Sequence, residues 1–433
     1  MPSRRALATL LLLAPTTLFM GGSVGGCAAA ACRKVQGEHQ DFLRRRGPAD
    51  AAQLVVAVPL ATLGQALSFP LARLPAMSVP MPDLGLPIDL GLGNLEVALR
   101  SVQVMPAPDG QLGLRVRFVL RSRGRDVTAI DLDAVVAPQI EPSAGNVRLS
   151  LRPQDLLRVR PSLPPAERQK FAAFINELLP PAARALVGGR IDRLADQALG
   201  ELVERSFPRA RDGLLGHLKT LVDLEIDLPP VPLTRVALRS PGADLELWLY
   251  TSLPAAGLPP GPARTPGGDA RLVQVRMSGG TAAELANQAM TRGQIPARYD
   301  LAGEPSPTGE FTAGVAWQPG PRPLRLHAWK QSGVCAHVVF AGTPSVDAVR
   351  GELDLRVPDA QIERITGAAR ARIAAWYSGL GKQTFAFSQA VADATSFELL
   401  GIDYDATPVR AAVVADTVTI DLQLAPRAPA RRP

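Results

Sequence analysis

The 433-residue sequence is short of the residues that build metal, haem and redox centres: it has three cysteines and four histidines. No C-x-x-C, H-E-x-x-H or P-loop pattern occurs, and no G-x-S-x-G elbow lies downstream of the export signal described below. Thiol-redox, zinc-protease, nucleotide and serine-hydrolase chemistry therefore have no visible starting point. The loop Gly91-Leu92-Gly93-Asn94 lacks the third glycine of a dinucleotide site. Aromatics make up only 5%. Lysine occurs only at Lys34, Lys170, Lys219, Lys330 and Lys382. The net charge of +7 is thus carried almost wholly by arginine, dispersed along the chain. That reads as a solvated basic surface, and nucleic acid is not expected as a partner. Beyond residue 30 no apolar run approaches the roughly 20 residues of a membrane-spanning helix. Catalytic residues, cofactor and bound metal are all expected to be absent.

Breakers are plentiful, with 38 glycines and 41 prolines. A hydrophobic content of 46% is that of a folded protein. Residues 1–26 read as a signal peptide: Arg4 and Arg5, an apolar stretch from Ala6 to Met20, then small residues. Val24-Gly25-Gly26-Cys27 resembles a bacterial lipobox, which makes Cys27 the expected lipid attachment and residues 27–50 a polar, lipidated tether. Such an anchor places the protein on the periplasmic face of the envelope, with the outer membrane favoured because Ala28 is not an aspartate. Cys32 and Cys335 either form a disulfide in an oxidising compartment or stand as two free thiols.

Period-two alternation recurs along the chain. Leu112, Leu114, Val116, Phe118 and Leu120 share one face, and Ile130, Leu132, Ala134 and Val136 share another. Val147, Leu149 and Leu151 do the same, as do Leu245, Leu247 and Leu249 and, later, Val418, Ile420, Leu422 and Leu424. Leu353, Leu355 and Val357 alternate with Glu352, Asp354 and Arg356. One dry and one wet face per strand means antiparallel sheets. Helical spacing is rarer. Phe171, Phe174, Ile175 and Leu178 form a stripe after Pro164-Pro165, broken or kinked by Pro180-Pro181. A later stripe, Ile362, Ile365, Ala369, Ile373 and Trp376, predicts a helix capped by Asp359.

These signals divide the chain into a first domain over 51–228, a linker with connecting strands over 229–268, a second domain over 269–425 and a disordered tail over 426–433. The domains share a plan. Leu54–Pro59 runs into a helix-like Leu60–Leu67, as Leu272–Met277 runs into Thr281–Met290, with Gln65-Ala66-Leu67 set against Gln288-Ala289-Met290.

This order of elements resembles the TULIP superfamily of tubular lipid-binding domains. The opening Val56-Ala57-Val58-Pro59-Leu60-Ala61-Thr62-Leu63 is similar to the first strand and helix of its bacterial members. Pro164–Arg168 through Leu178-Leu179-Pro180 is similar to their C-terminal helix. The resemblance implies an α+β fold of two tandem domains, each a curved antiparallel sheet wrapped around a long amphipathic helix. It implies a partner, a phospholipid or other acyl-chain lipid, lying between helix and sheet. The lining would come from Leu114, Val116, Phe118, Leu132, Leu149, Phe171, Phe174, Ile175 and Leu178, and in the second domain from Ile362, Ile365 and Trp376. Two other functions stay open: a scaffold of an envelope or secretion complex with a filled core, and a hydrolase with an unrecognised site. The carboxylate pairs Asp131/Asp133 and Asp403/Asp405 read as wet strand faces, and His327 and His337 could meet across a hairpin.

Overall fold

The structure is a computed structural model. It describes residues 24–44, 52–71, 76–80, 94–143, 146–150, 155–181, 184, 188–201, 204, 224–227, 233–240, 242–253, 272–300, 305–331, 335–349, 352–367, 383–390, 396–399, 402–414 and 416–426. The fold is mixed α+β, mostly strand, with two curled half-barrel antiparallel sheets. The long helix wrapped by each sheet is not what the described residues form. The signal peptide through residue 23, the tail beyond Pro426, residues 368–382 with Trp376, and the side chain of Leu149 lie outside them.

Each half begins in a shared central sheet, leaves it through a helix, and returns to it. Strand β1 (Leu54–Pro59) leads into α2 (Leu60–Leu71). Then come β2 (Met77–Pro80), β3 (Asn94–Met105), β4 (Leu112–Ser122) and β5 (Arg125–Val136). The half closes with the hairpin β10 (Leu233–Arg239) and β11 (Asp244–Thr251). The second half repeats this: β12 (Leu272–Ser278), α5 (Gly279–Thr291), β13 (Arg298–Tyr299), β14 (Phe311–Trp317), β15 (Leu324–Lys330), β16 (Ala336–Gly342). It closes with the hairpin β21 (Ile402–Val414) and β22 (Thr417–Pro426). The central sheet has seven strands, ordered β10-β11-β1-β12-β22-β21-β20, the last being Ser396–Leu399. Strands β1 and β12 pair antiparallel, Leu54 with Met277 and Ala57 with Gln274. Each is flanked by the returning hairpin of its own half, so the sheet has pseudo-twofold order about the β1–β12 pair.

The curled sheets carry the alternation read from sequence. In the first, ordered β2-β3-β4-β5-β8 with β8 at Leu156–Ser162, the residues from Leu112 to Leu120 that share a face are buried. Arg123 and Gly124 both have positive φ, the two-residue turn that matches the strand twist of a tight hairpin between β4 and β5. A three-stranded sheet, β6 (Gln139–Ser143), β7 (Asn146–Ser150) and β9 (Leu224–Asp227), completes this half. Helix α3 (Pro165–Leu178) starts at a proline, which lacks only an N–H that no helical partner would take. It stops at Leu179, which is extended ahead of Pro180. Helical structure resumes at Pro181, and the described run over 188–201 is here α4, so the break at Pro180 separates α3 from the helices that follow.

Two expected elements differ. The stretch taken as a polar tether is helix α1 (Val24–Leu43), containing Cys27 and packed on the second half. The helix expected from Asp359 is instead strand β18 (Glu352–Gly367) for its described part. The cause is a β-bulge: Phe340 pairs with Ile362 and Val338 with Ile365, leaving an extra residue between. Positions three apart then share a face, as they would on a helix. Asp359 caps nothing; its carboxylate accepts from the Thr343 N–H at 2.6 Å. Strand β18 also pairs with β17 (Ser345–Val349) and β19 (Gln383–Ala390).

Candidate functional site

Beyond Asn94–Val97, where β2 covers it, the outer edge of β3 meets α2 rather than a strand. A sheet edge presents backbone N–H and C=O groups that need partners. The Ser68 hydroxyl supplies one, accepting from the Val102 N–H at 2.9 Å. The helix comes this close because position 64 is glycine: a Cβ there would stand 3.1 Å from the Val102 carbonyl oxygen. Around this contact α2 and β3 face each other across open space. They leave an open groove of about 660 Å³ lined by Leu60, Ala61, Gly64, Gln65 and Ser68 of α2 and by Arg100 to Met105 of β3. Its walls are mostly aliphatic and backbone. Gln65, Arg100 and Gln103 are exposed along the rim.

The lining residues expected from sequence lie elsewhere. Leu114, Val116, Phe118, Leu132, Phe171 and Ile175 are buried together in one core, with Phe174 packed against it. Phe171 and Ile175 have no exposed surface, and Ala195, Ala198 and Leu199 of α4 close the same core. Leu178 is half-buried beside it. Ile362 and Ile365, on β18, are half-buried in the other half of the molecule. Thus the first half gathers seven of the expected residues, and they pack on one another. The residues that shape the groove, Gly64, Ser68 and Arg100, carry no period or motif. The only sequence trace is a glycine inside a helix, where it costs about 1 kcal/mol against alanine and calls for a packing reason.

The corresponding seam of the second half is filled. The Asn287 amide of α5 clamps the β14 edge, donating to the Val315 carbonyl at 2.7 Å and accepting from its N–H at 2.8 Å. The Trp317 ring lies flat against Gly279 at the helix start, where a Cβ would sit 2.0 Å from a ring carbon, and its Nε1 donates to Asp416 at 3.1 Å. Ala286 and Met290 pack behind it.

The other candidate groups are structural in their contacts. The Asp133 carboxylate receives a two-pronged Arg115 at 2.7 and 3.1 Å. Asp131 stands 3.6 Å from Arg117. Arg117 also reaches Glu167 at 2.8 Å, tying the first turn of α3 to the sheet. Burial raises the Glu167 pKa, but hydrogen bonds from Lys170 and the Ala129 N–H, with the charges of Lys170 and Arg117, outweigh it and hold the carboxyl below its ordinary value. His327 and His337 do meet, Nδ1 to Nε2 at 3.0 Å. Cys32 and Cys335 form a disulfide. Among the described residues no three His, Cys, Asp or Glu side chains converge as a metal site, and no helix is long and apolar enough to cross a membrane.

No protein-family model matches the chain, and no curated protein sequence matches it. The solved structures similar to it include three that follow. P47 from Clostridium botulinum A2 shares 7% identity at a TM-score of 0.39, covering 86% of this chain and 96% of that one. P47 of Clostridium botulinum E1 shares 7% identity at 0.41, covering 86% and 99%. A lipopolysaccharide binding protein shares 13% identity at 0.22, covering 87% and 99%. At these scores the likenesses carry no argument about the site.

Proposed function

We propose that the chain is a non-enzymatic lipid-binding or lipid-shuttling lipoprotein of the cell envelope. Its anchor is an acylated Cys27, which puts it on the periplasmic face, at the outer membrane. An acyl chain lies in the α2–β3 groove, and Arg100 at the rim meets an anionic headgroup. The carrying observation is the groove itself: about 660 Å³ of space with mainly apolar walls, within the usual size of small-ligand sites. Lipid tails need only apolar surface to lie against, since each buried CH₂ contributes about 0.8 kcal/mol. Arg100 supports the headgroup assignment, because among the described residues no carboxylate neutralises it.

The test is native mass spectrometry with lipid extraction on protein purified from its own envelope without the acyl anchor. Lipid at fixed stoichiometry is expected. Ala61→Trp, which fills the groove from an exposed helix position, should abolish it while leaving the thermal midpoint unchanged. Arg100→Glu should weaken anionic lipid more than neutral lipid. A second reading, a scaffold with a filled core, draws on the packing of Phe171 and Ile175 against the β4–β5 wall. An apo mass with no uptake from liposomes, together with a stable protein partner, would favour it.

A further inference from the structure

Helix α1 is held on the second curled sheet by more than apolar contact. Its Val35 packs with Trp329 and Cys335, and Phe42 lies 4.8 Å from the Trp329 ring and 4.7 Å from His327. Cys32, on the N-terminal part of the helix, is bonded to Cys335 across 303 residues of sequence. Between these contacts runs a buried line of titratable groups. Glu38 Oε2 lies 2.6 Å from His337 Nδ1, and His337 Nε2 lies 3.0 Å from His327 Nδ1. His337 is 1% and His327 5% exposed.

The hydrogen-bond roles follow from the partners. An ionised carboxylate only accepts, so His337 Nδ1 donates; its Nε2 then accepts when the ring is neutral, and His327 Nδ1 donates. One added proton is accommodated if His327 shifts its own proton to the far nitrogen. A second turns both rings into cations, sets two N–H groups against each other at 3.0 Å, and stacks the charges with ring centroids 5.2 Å apart. The other groups facing His337 are His39 on α1 and Arg364 on β18, both unfavourable to its charge, while Thr366 of β18 donates to Glu38 at 3.5 Å.

We propose that α1 is an acid-sensitive strap: protonation of the Glu38–His337–His327 line loosens residues 36–43 from the sheet, and the Cys32–Cys335 disulfide keeps the rest of the helix in place as the pivot. Burial holds the His337 pKa below its ordinary 6.5, against the pull of Glu38. The docked state therefore binds fewer protons than the undocked one, and docking weakens as pH falls below about 6.5. Since residues 36–43 run from the disulfide toward β1, their release loosens the path from the N-terminus to the first half, while the second half stays held through Cys32. The inference does not depend on what fills the α2–β3 groove.

Hydrogen exchange of the oxidised full chain at pH 7.5 and 5.5, expressed as protection factors, tests this. Protection of 36–43 should fall roughly tenfold per unit of pH once below the ordinary histidine value, while 29–35 beside the disulfide holds. His337→Gln should remove the larger part of the pH dependence. His39→Gln leaves the line intact but removes a second imidazole that burial holds below its ordinary value, and should keep that larger part. Protection that is independent of pH, that falls equally over 29–43, or that falls as steeply in His337→Gln as in the native chain overturns the proposal. If His337→Gln does not fold, the contrast between 36–43 and 29–35 in the native chain decides it.

Discussion

A few side chains hold elements together that have no sequence proximity, and Glu167 is the clearest. It sits in the first turn of α3, 6% exposed, and accepts from Arg117, Lys170 and the Ala129 N–H at 2.8, 2.9 and 3.0 Å. Removing its charge leaves those donors poorly paired at the sheet face, and Glu167→Gln should cost about 1–3 kcal/mol in urea unfolding. The sign of the pH effect is fixed by its depressed pKa. The stabilisation is complete above the ordinary carboxylate pKa and is lost as pH falls through the lower folded value. Native protein should therefore lose stability below about pH 4.5 by an increment that Glu167→Gln lacks. None of this was legible beforehand. The sequence marks Glu167 as a favourable first-turn acid for a helix, and only the fold supplies Arg117 beside it.

At the scale of elements, each half solves the same problem with different chemistry. The helix after the first strand covers a bare sheet edge, through Ser68 on Val102 in one half and Asn287 on Val315 in the other. Gly64 and Gly279 let the elements approach. Gly279→Ala forces a Cβ into the Trp317 ring, which hydrogen bonding to Asp416 holds in place. Overpacking of this kind costs about 1–3 kcal/mol, and the thermal midpoint should drop while the lipid uptake proposed for the α2–β3 groove is unchanged. The mistaken helix at Ile362 also belongs to this scale. Spacing of three reads the same on a helix and on a bulged strand, and no local signal announces a bulge. The tether reading missed α1 for a related reason: Arg33 to Asp41 is mostly polar, and the dry face of Cys32, Val35 and Phe42 is made by contact with β15, β16 and β18.

Across the whole molecule, the central sheet joins the halves, and its polar face is buried. Glu246 of β11 pairs with Arg276 of β12 across β1, where Ala57 leaves room, and also accepts from Trp248 Nε1 at 2.9 Å. Both side chains of that pair are under 5% exposed. On the same face, beyond β12, Asp421 accepts from Gln274 at 2.9 Å and from Arg410 at 2.6 Å. A buried pair adds little over a well-packed apolar one, but losing one member is severe. Glu246→Gln or Arg276→Met alone should cost about 3–5 kcal/mol, and the double variant much less than their sum. Chemical denaturation of the four proteins measures the coupling; additive losses would mean that the pair does not join the halves.

The sequence alone determined the antiparallel strands, because alternation with period two is a local property that survives into the fold. It determined the repeated strand-and-helix openings of the two halves and the break between α3 and α4, where proline forbids the helical hydrogen bond. It also marked the residues of the first core, though not whether that core is open or filled. The tertiary structure decided the rest. How closely α2 approaches β3 depends on a glycine's missing Cβ, and which strands flank β1 depends on chain return over nearly two hundred residues. Whether Glu38 meets His337 depends on a disulfide between residues 303 positions apart. These are long-range contacts, and their partners are set by geometry that no local pattern encodes.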